Sequence, residues 1–282
     1  MVNGFSGESK VLSADLDWVE INDIKVGSEI LAFYEGKSPH LPYRSKDGVW
    51  LGQGANRDVK LTKVVDKYNV KCDGVIVTFS NGDKITTTKN TFIIGKTSEK
   101  GVLTWFKSKD LIKRHSHITK YMNVWERDMS YESGWLAGFM DGEGSLCFSY
   151  SKTLSGIQAC QNPTVVWDRA LELLSKFKIK HSSPATKSDS GSQQYCEFIY
   201  SNGKWDTLEF IGKLDICRFK DTIRKRPDCY GTLTSFGRPL LRVSNIETVE
   251  NFDFTVIETE SKTMFCDGFG FHNSNGSKLL GV

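Results

Sequence analysis

Late in the chain lies the run Phe271-His272-Asn273-Ser274, whose side chains could cut the backbone that carries them. The side-chain amide of Asn273 can attack its own main-chain carbonyl carbon, closing a succinimide and breaking the bond to Ser274. His272 stands beside it to protonate the leaving amine or to polarise the carbonyl, which is general-acid work. Ser274 offers an oxygen nucleophile on the far side of the cut. The same triplet also serves as an ordinary polar turn, so its meaning depends on its surroundings.

Two stretches upstream are suited to presenting it. Residues 251–256 (Asn-Phe-Asp-Phe-Thr-Val) alternate as a strand does, and residues 262–268 read as a second strand ending in a turn at Gly268. Together with His272-Asn273 they resemble the C-terminal splicing blocks of inteins, where a strand leads through a Gly turn to His-Asn and then Ser, Thr or Cys. At the other end, Phe5-Ser6-Gly7-Glu8-Ser9-Lys10-Val11-Leu12 resembles the residues that follow an intein's first nucleophile. The two motifs stand in the right order at opposite ends. The resemblance implies self-excision from a flanking host protein (the extein) by acyl transfer and Asn cyclisation. It implies a mostly β, horseshoe-like Hint domain that is discontinuous, spanning residues 4–125 and 235–273. Residues 1–3 are then expected to be an N-extein remnant and 274–282 a C-extein remnant or tag. Asp253 is implied as the acidic residue that couples the two cleavages.

The chain departs from this family in two places. The alignment puts Gly4 where the first nucleophile, Cys or Ser, normally stands, and glycine has no side chain to receive the Asn3 acyl group. The favoured expectation is that the precursor is trapped; the other is that Ser274 attacks the Asn3–Gly4 bond directly. The second departure is at Thr87-Thr88-Lys89-Asn90, which resembles the family's Thr-x-x-His block with Asn90 in place of His. Thr87 and Asn90 are thus the expected activators of the N-terminal peptide, and Asn can donate a hydrogen bond but cannot carry a proton. Cys266 is expected in the core.

The texture changes twice along the chain. Short strands are expected at 10–12, 18–21, 29–34, 59–65, 68–70, 74–79 and 84–88, with a polar insertion at 34–57. From about 126 to 234 the pattern becomes mixed. Helices are expected at 131–141, 166–177 and 204–214, and strands at 145–151, 156–160 and 195–200. Strand texture then returns, as if one domain were inserted in another.

Inside that block is Leu136-Ala137-Gly138-Phe139-Met140-Asp141-Gly142-Glu143-Gly144. Gly134, Gly138 and Gly142 recur every four residues and so share one helix face, where a partner helix can approach backbone to backbone. Each glycine costs a helix about 1 kcal/mol relative to Ala, so three on one face need a reason. The run resembles the LAGLIDADG motif of homing endonucleases. That implies an inserted α/β domain of order αββαββα, with Glu143 meeting its counterpart to hold Mg²⁺ against double-stranded DNA. With one motif visible, the implied active form is a homodimer through that helix; the alternative is a degenerate second half. Side chains at Ser149, Ser151, Lys152, Gln158 and Gln161 would read bases, and the basic cluster Arg218, Lys220, Arg224, Lys225 and Arg226 would meet phosphates. A second cluster is Lys107, Lys109, Lys113 and Arg114.

Composition bounds the choice. A chain of 282 residues with 39% hydrophobic and 25% charged residues is globular in type. No apolar run approaches bilayer length and no signal peptide is visible. Seven cysteines, scattered and without a Cys-x-x-Cys pair, argue for reduced thiols and a cytoplasmic setting in a phage, bacterial, archaeal or viral host protein. A splicing domain with a degenerate DNA-binding insert is one alternative, and a free-standing LAGLIDADG endonuclease or maturase another, though the latter leaves both flanking halves unexplained. A hedgehog-type autoprocessing domain would not need His272-Asn273, and a pure DNA-binding module would not need Glu143.

Overall fold

The computed structural model describes residues 2–35, 43–44, 50–51, 57–99, 101–111, 116–162, 164–179, 181, 185–188, 194–200, 203–235 and 237–273. The chain divides into two compact units: one of residues 1–14, 18–124 and 232–282, the other of 15–17 and 125–231. The sequence places the changes of texture near 126 and 234, within a few residues of these limits.

In chain order the first unit opens with β1 (Phe5–Ser6), β2 (Lys10–Leu12), β3 (Trp18–Glu20), β4 (Glu29–Glu35), β5 (Tyr43–Arg44) and β6 (Trp50–Leu51). It continues with β7 (Arg57–Phe79), β8 (Lys84–Thr88), β9 (Phe92–Lys96), β10 (Leu103–Lys107) and β11 (His117–Thr119). The second unit then supplies α1 (Tyr131–Glu143), β12 (Gly144–Phe148), β13 (Leu154–Gln161), α2 (Val165–Lys176), β14 (Ala185–Ser188), β15 (Gln194–Tyr200), α3 (Lys204–Leu214) and α4 (Cys217–Arg224). The chain returns to the first unit with β16 (Leu240–Thr259), β17 (Thr263–Cys266) and β18 (Phe269–His272).

The first unit is mostly β, built on one sheet in the order β3-β2-β17-β18-β9-β11-β16-β1-β8-β7-β4, with β10 paired on β9. The expected strands at 59–65, 68–70 and 74–79 are one continuous strand of 23 residues, β7. It survives its polar centre because β16, 20 residues long, pairs with it from Val243↔Phe79 to Thr259↔Val64. Backbone pairing along that length replaces the apolar burial that a sequence pattern looks for. The register slips between Val249 and Phe252, where Asn251 takes a positive φ of 53°, as a bulge requires. One core of Val11, Ile30, Val77, Ile93, Phe106, Ile118, Phe269 and Phe271, among others, lies against this sheet. The chain leaves the unit after β11 and returns before β16, and these two strands pair directly, Thr119↔Leu240. The second unit can therefore be cut out without opening the sheet. Replacing residues 125–231 by a short linker is expected to leave a folded first unit with a cooperative thermal transition.

In the second unit β12 and β13 pair as a hairpin, in a four-stranded sheet of order β12-β13-β15-β14. The expected strand at 145–151 ends three residues early. Ser149 N donates to Thr153 O at 2.8 Å and Lys152 N to Ser149 O at 2.8 Å, so 149–153 is the hairpin turn, with Lys152 at φ 63°. Helix α4 was not expected; its residues read as a basic run, yet Phe219 and Ile223 are buried a helical turn apart.

Candidate functional site

At the C-terminal end, β18 runs between β17 and β9, with His272 opposite Thr263 on one side and Phe92 on the other. The preceding turn is set by Gly268, at φ 84°, whose missing Cβ would lie 1.9 Å from Met122 O. Only glycine fits there. The strand delivers Asn273 into complete burial, with its N donating to Lys262 O at 3.0 Å. The Thr259 hydroxyl lies 3.2 Å from both amide atoms of Asn273 and 3.1 Å from Thr263 O. If it donates its one proton to Thr263 O, its oxygen accepts from Asn273 Nδ2 and fixes that side chain.

His272 is 3% exposed and its ring meets Trp105 edge to face, with centroids 5.6 Å apart. Burial pushes its pKa down to about 4, with Glu35 pulling up and Lys262 adding to the fall. The imidazole is therefore neutral at neutral pH. The unfolded chain binds this proton near 6.5 and the native chain only near 4, so the stability it contributes is complete above 6.5 and is lost as pH falls to about 4. The shift corresponds to roughly 3 kcal/mol. Chemical denaturation at pH 7 and pH 4.5 is expected to show a smaller pH difference in His272→Gln than in the parent chain; an equal difference would refute the shift.

Gly4 is bound by a different pair of side chains from the one expected. Gly4 N donates to Thr88 Oγ1 at 3.3 Å, Thr88 N to Gly4 O at 3.0 Å, and Thr91 Oγ1 reaches Gly4 O at 3.5 Å. The two hydroxyls lie 2.8 Å apart, and Thr88 Oγ1 also donates to Val2 O at 2.6 Å. Thr87 instead bonds to Thr88 O and Ser108 Oγ. Asn90 sits with Lys89 in the turn closed by Thr91 N donating to Thr88 O at 3.1 Å. The expected pair Thr87/Asn90 is thus replaced by Thr88/Thr91, one residue on at the same spacing. The sequence signal was there: Asn at the centre of a tight turn, flanked by two threonines three apart.

Gly4 occupies a space cut for glycine. A Cβ there would sit 2.9 Å from Phe254 Cβ and 3.1 Å from Thr88 Cγ2. Gly4→Ala is therefore expected to destabilise the chain by about 1–3 kcal/mol, as overpacking does, read as a lower midpoint in denaturant; an unchanged midpoint would contradict this packing. Asp253 does not join the site. It is exposed on β16 opposite Lys71, while Phe254 and Thr255 pair with Ser6 and Phe5. Cys266 is 1% exposed and its thiol is pushed well up by burial, which makes it a poor nucleophile. Ser274 lies outside the described residues.

The two ends share one element. Gly4 is bound by Thr88 and Thr91, and the very next residue, Phe92, pairs with His272. Phe5 and Phe271 also meet, ring to ring, at 5.0 Å.

In the second unit, α1 starts at Ser130, whose hydroxyl accepts from Ser133 N at 3.2 Å. A Cβ on Gly134, Gly138 or Gly142 would meet nothing within 4 Å, so no described neighbour explains these glycines. With Trp135, Phe139, Glu143, Gln161 and Val166 they line an open concavity of ≈ 430 Å³. Tyr131 and Val165 beside it are 79% and 82% exposed. Glu143 is exposed at the helix end, and among the described residues no group of three or more His, Cys, Asp or Glu could hold a metal. Among the described residues that line this concavity, Glu143 is the one carboxylate.

The candidate DNA contacts separate into two kinds. Arg218 donates to Met140 O at 2.9 Å and to Gly144 O, closing the end of α1, and its N is capped by Asp141 at 3.0 Å. Lys220 is paired with Asp215, and Arg224 with Asp15 at 2.6 Å. These three are engaged within the unit, unlike a free cation waiting for a phosphate. Lys152, Lys225 and Arg226 instead gather with Ser149 around one concavity, Arg226 lying 4.8 Å over the Phe148 ring. Ser149 and Ser151 are hydrogen-bonded to each other at 2.8 Å. Gln158 shares the sheet face of Ser145, opposite it in register, whereas Gln161 lines the glycine concavity. Lys113 and Arg114 lie outside the described residues.

No protein-family model matches the chain, and no curated protein does. Several solved structures are similar to it. A variant of the Ssp DnaB mini-intein aligns at TM-score 0.40 and 10% identity, over 97% of this chain and 99% of the other. The bacterial intein-like domain from Clostridium thermocellum gives 0.38 and 10%, over 97% and 99%. A DnaB intein from Synechocystis sp. gives 0.35 and 9%, over 97% and 99%. TM-scores of this size leave the function to be argued from the residues of this chain.

Proposed function

We propose that the first unit is a self-splicing domain of the intein type, acting once on the chain that contains it. The observation that supports this most is the sharing of one turn by both junctions, Gly4 on Thr88 and Thr91 and His272 on Phe92. Joining two flanks requires both scissile bonds in one place, and the pairing of β9 with β18 beside the Gly4 contacts supports that reading.

At the C-terminal junction Asn273 Nδ2 attacks the Asn273 carbonyl carbon. The new carbon–nitrogen bond closes the succinimide as the bond to Ser274 N breaks. Neutral His272 takes the amide proton and returns it to the leaving amine. Burial excludes water, which favours cyclisation over hydrolysis. At the other junction Gly4 supplies no nucleophile, so the acyl shift is disabled and the chain stops at a precursor capable of C-terminal cleavage alone. The partner is the flanking host protein, in a reducing cytoplasmic setting. The described cysteines 72, 147, 160, 217, 229 and 266 are free thiols, and no helix among the described residues is long and apolar enough to cross a membrane.

We infer further that the second unit binds double-stranded DNA as a two-fold pair through the open glycine face of α1. Glu143 from each copy would hold Mg²⁺, which would supply charge neutralisation at the scissile phosphate. Lys152, Lys225 and Arg226 are the basic groups left to meet the backbone.

The experiment for the splicing reading is intact-mass spectrometry of Gly4→Cys, alone and with Thr91→His. Appearance of an excised fragment ending at Asn273 together with joined flanks supports it. Intact chains in both variants after long incubation, with the fold preserved, would reject it.

A further inference from the structure

His272 stands on a strand flanked by β17 and β9, and its ring faces Trp105 of β10. Trp105 is itself fixed from behind. Its Nε1 donates to Glu35 Oε1 at 3.0 Å, and Arg57 Nε donates to the same oxygen at 3.0 Å. Arg57 is 7% exposed, so its charge is committed to this carboxylate. Phe33, two residues before Glu35 on β4, stacks on the Trp105 indole at 5.9 Å and 18°. The indole is thus held on one face and at its polar edge, leaving His272 to meet the ring at 79°. Nothing in the cleavage chemistry alone requires this arrangement.

We propose that Glu35, clamped by Arg57 and Trp105, is a positioning residue for His272: through the indole it fixes the imidazole plane, and its charge acts on the imidazole across that ring. This rests on the splicing reading for its consequence, but its physical part stands without it.

Two charged groups act on His272. Glu35 at the end of β4 favours the imidazolium, and Lys262 ahead of β17 opposes it. Lys107 on β10 is engaged over the Phe92 ring at 5.8 Å. An imidazole that must accept a proton from Asn273 works only while neutral. Cleavage is therefore level above the native pKa and falls below it. Removing the Glu35 charge lowers the point of fall, and reversing Lys262 raises it.

The test is made in two backgrounds. In the full chain with Asn273→Ala, which cannot cleave, carbon-13-labelled His272 is titrated by NMR. Relative to that parent, Glu35→Gln is expected to move its titration to lower pH and Lys262→Glu to higher pH. In the cleaving chain the pH of half-maximal cleavage is expected to move in the same two directions. Trp105→Phe keeps a ring but loses the donor, so the ring is no longer tied to Glu35, which Arg57 still holds; cleavage is expected to slow about tenfold, as a small misplacement of a catalytic group does. Unmoved titrations with unaltered thermal transitions would overturn the proposal. So would Trp105→Phe cleaving at the parent rate. If the parent chain never cleaves, the splicing reading fails, while the NMR titration still decides whether Glu35 governs His272. Arg57→Gln, which frees Glu35 without removing it, separates clamping from charge: the orienting part is wrong if Trp105–His272 nuclear Overhauser contacts persist unchanged.

Discussion

Substituting Asn273→Ala is expected to abolish cleavage at the 273–274 bond, with no measurable residual rate. The parent chain is expected to shed the residues after 273 slowly at neutral pH. The reason is that no other group can do the step. Cyclisation uses the nitrogen of one particular side chain, and Asn273 is fully buried with its amide beside Thr259 and its backbone on Lys262. Gly4 does not block this step, since ring closure at the C-terminal end needs nothing from the N-terminal nucleophile. The chemistry also fixes the products. A succinimide at the new terminus means the two fragment masses sum to the intact mass, whereas hydrolysis adds the mass of water. Intact-mass spectrometry over days reads both rate and route. Continued cleavage in Asn273→Ala at the parent rate would show that some other chemistry operates. Thr259→Val, which keeps the shape but removes the hydroxyl, is expected to slow the parent reaction without stopping it.

At the C-terminal end His, Asn and a Gly turn follow one another within six residues, so their chemistry can be read locally; the strand patterns at 251–256 and 262–268 fall on the end of β16 and on β17, while β18 has no such pattern. The N-terminal site was less so. Residues 86–88 are three threonines in a row, and a Thr-x-x-x spacing fits this stretch in more than one frame. What decides between frames is which hydroxyls face Gly4, a matter of strand parity against β1 and β16, which lie far away in sequence. The outward position of Asp253, opposite Lys71, is hidden from the sequence for a similar reason. On a strand, neighbours point to opposite faces, and the bulge at Asn251 changes which face residue 253 takes. Glu35, Arg57 and Trp105 carry no motif at all; they meet only because β4 pairs with β7 and β10 with β9.

The basic run shows the opposite error. Five cations in nine residues read as one surface, but a helix distributes them around its axis. Arg218 and Lys220 turn back onto Met140, Gly144 and Asp215, and Phe219 and Ile223 take the core. Only the cations not engaged by the unit's own carboxylates and carbonyls remain for a ligand, and no count of charge in the sequence can make that distinction.

For the second unit the largest expected effect is a separation of stability from pairing. Gly138→Leu puts a side chain where the structure leaves open space, so within one copy nothing is displaced. The substitution also removes a helix-interior glycine, worth about 1 kcal/mol in the helix's favour. The single copy is therefore expected to become slightly more stable. If two copies pair through Gly134, Gly138 and Gly142, the same leucine prevents close backbone approach and pairing is lost. Sedimentation in the presence of a DNA duplex, beside thermal melting, measures the two separately. Glu143→Gln is the complementary variant: the residue is exposed and makes no described contact that folding needs, so DNA binding is expected to persist while Mg²⁺-dependent cleavage disappears. Binding should weaken steeply with salt, since phosphate contacts supply most of the affinity, and Lys152→Ala with Lys225→Ala should flatten that dependence where Arg218→Ala instead loosens the fold. A Gly138→Leu chain that is more stable and still pairs would show that the glycine face is not the interface. Loss of stability in Gly138→Leu would show that the open face is already covered by this chain. A duplex bound with no salt dependence would remove the phosphate contacts, and with them the reason for a second carboxylate at Glu143.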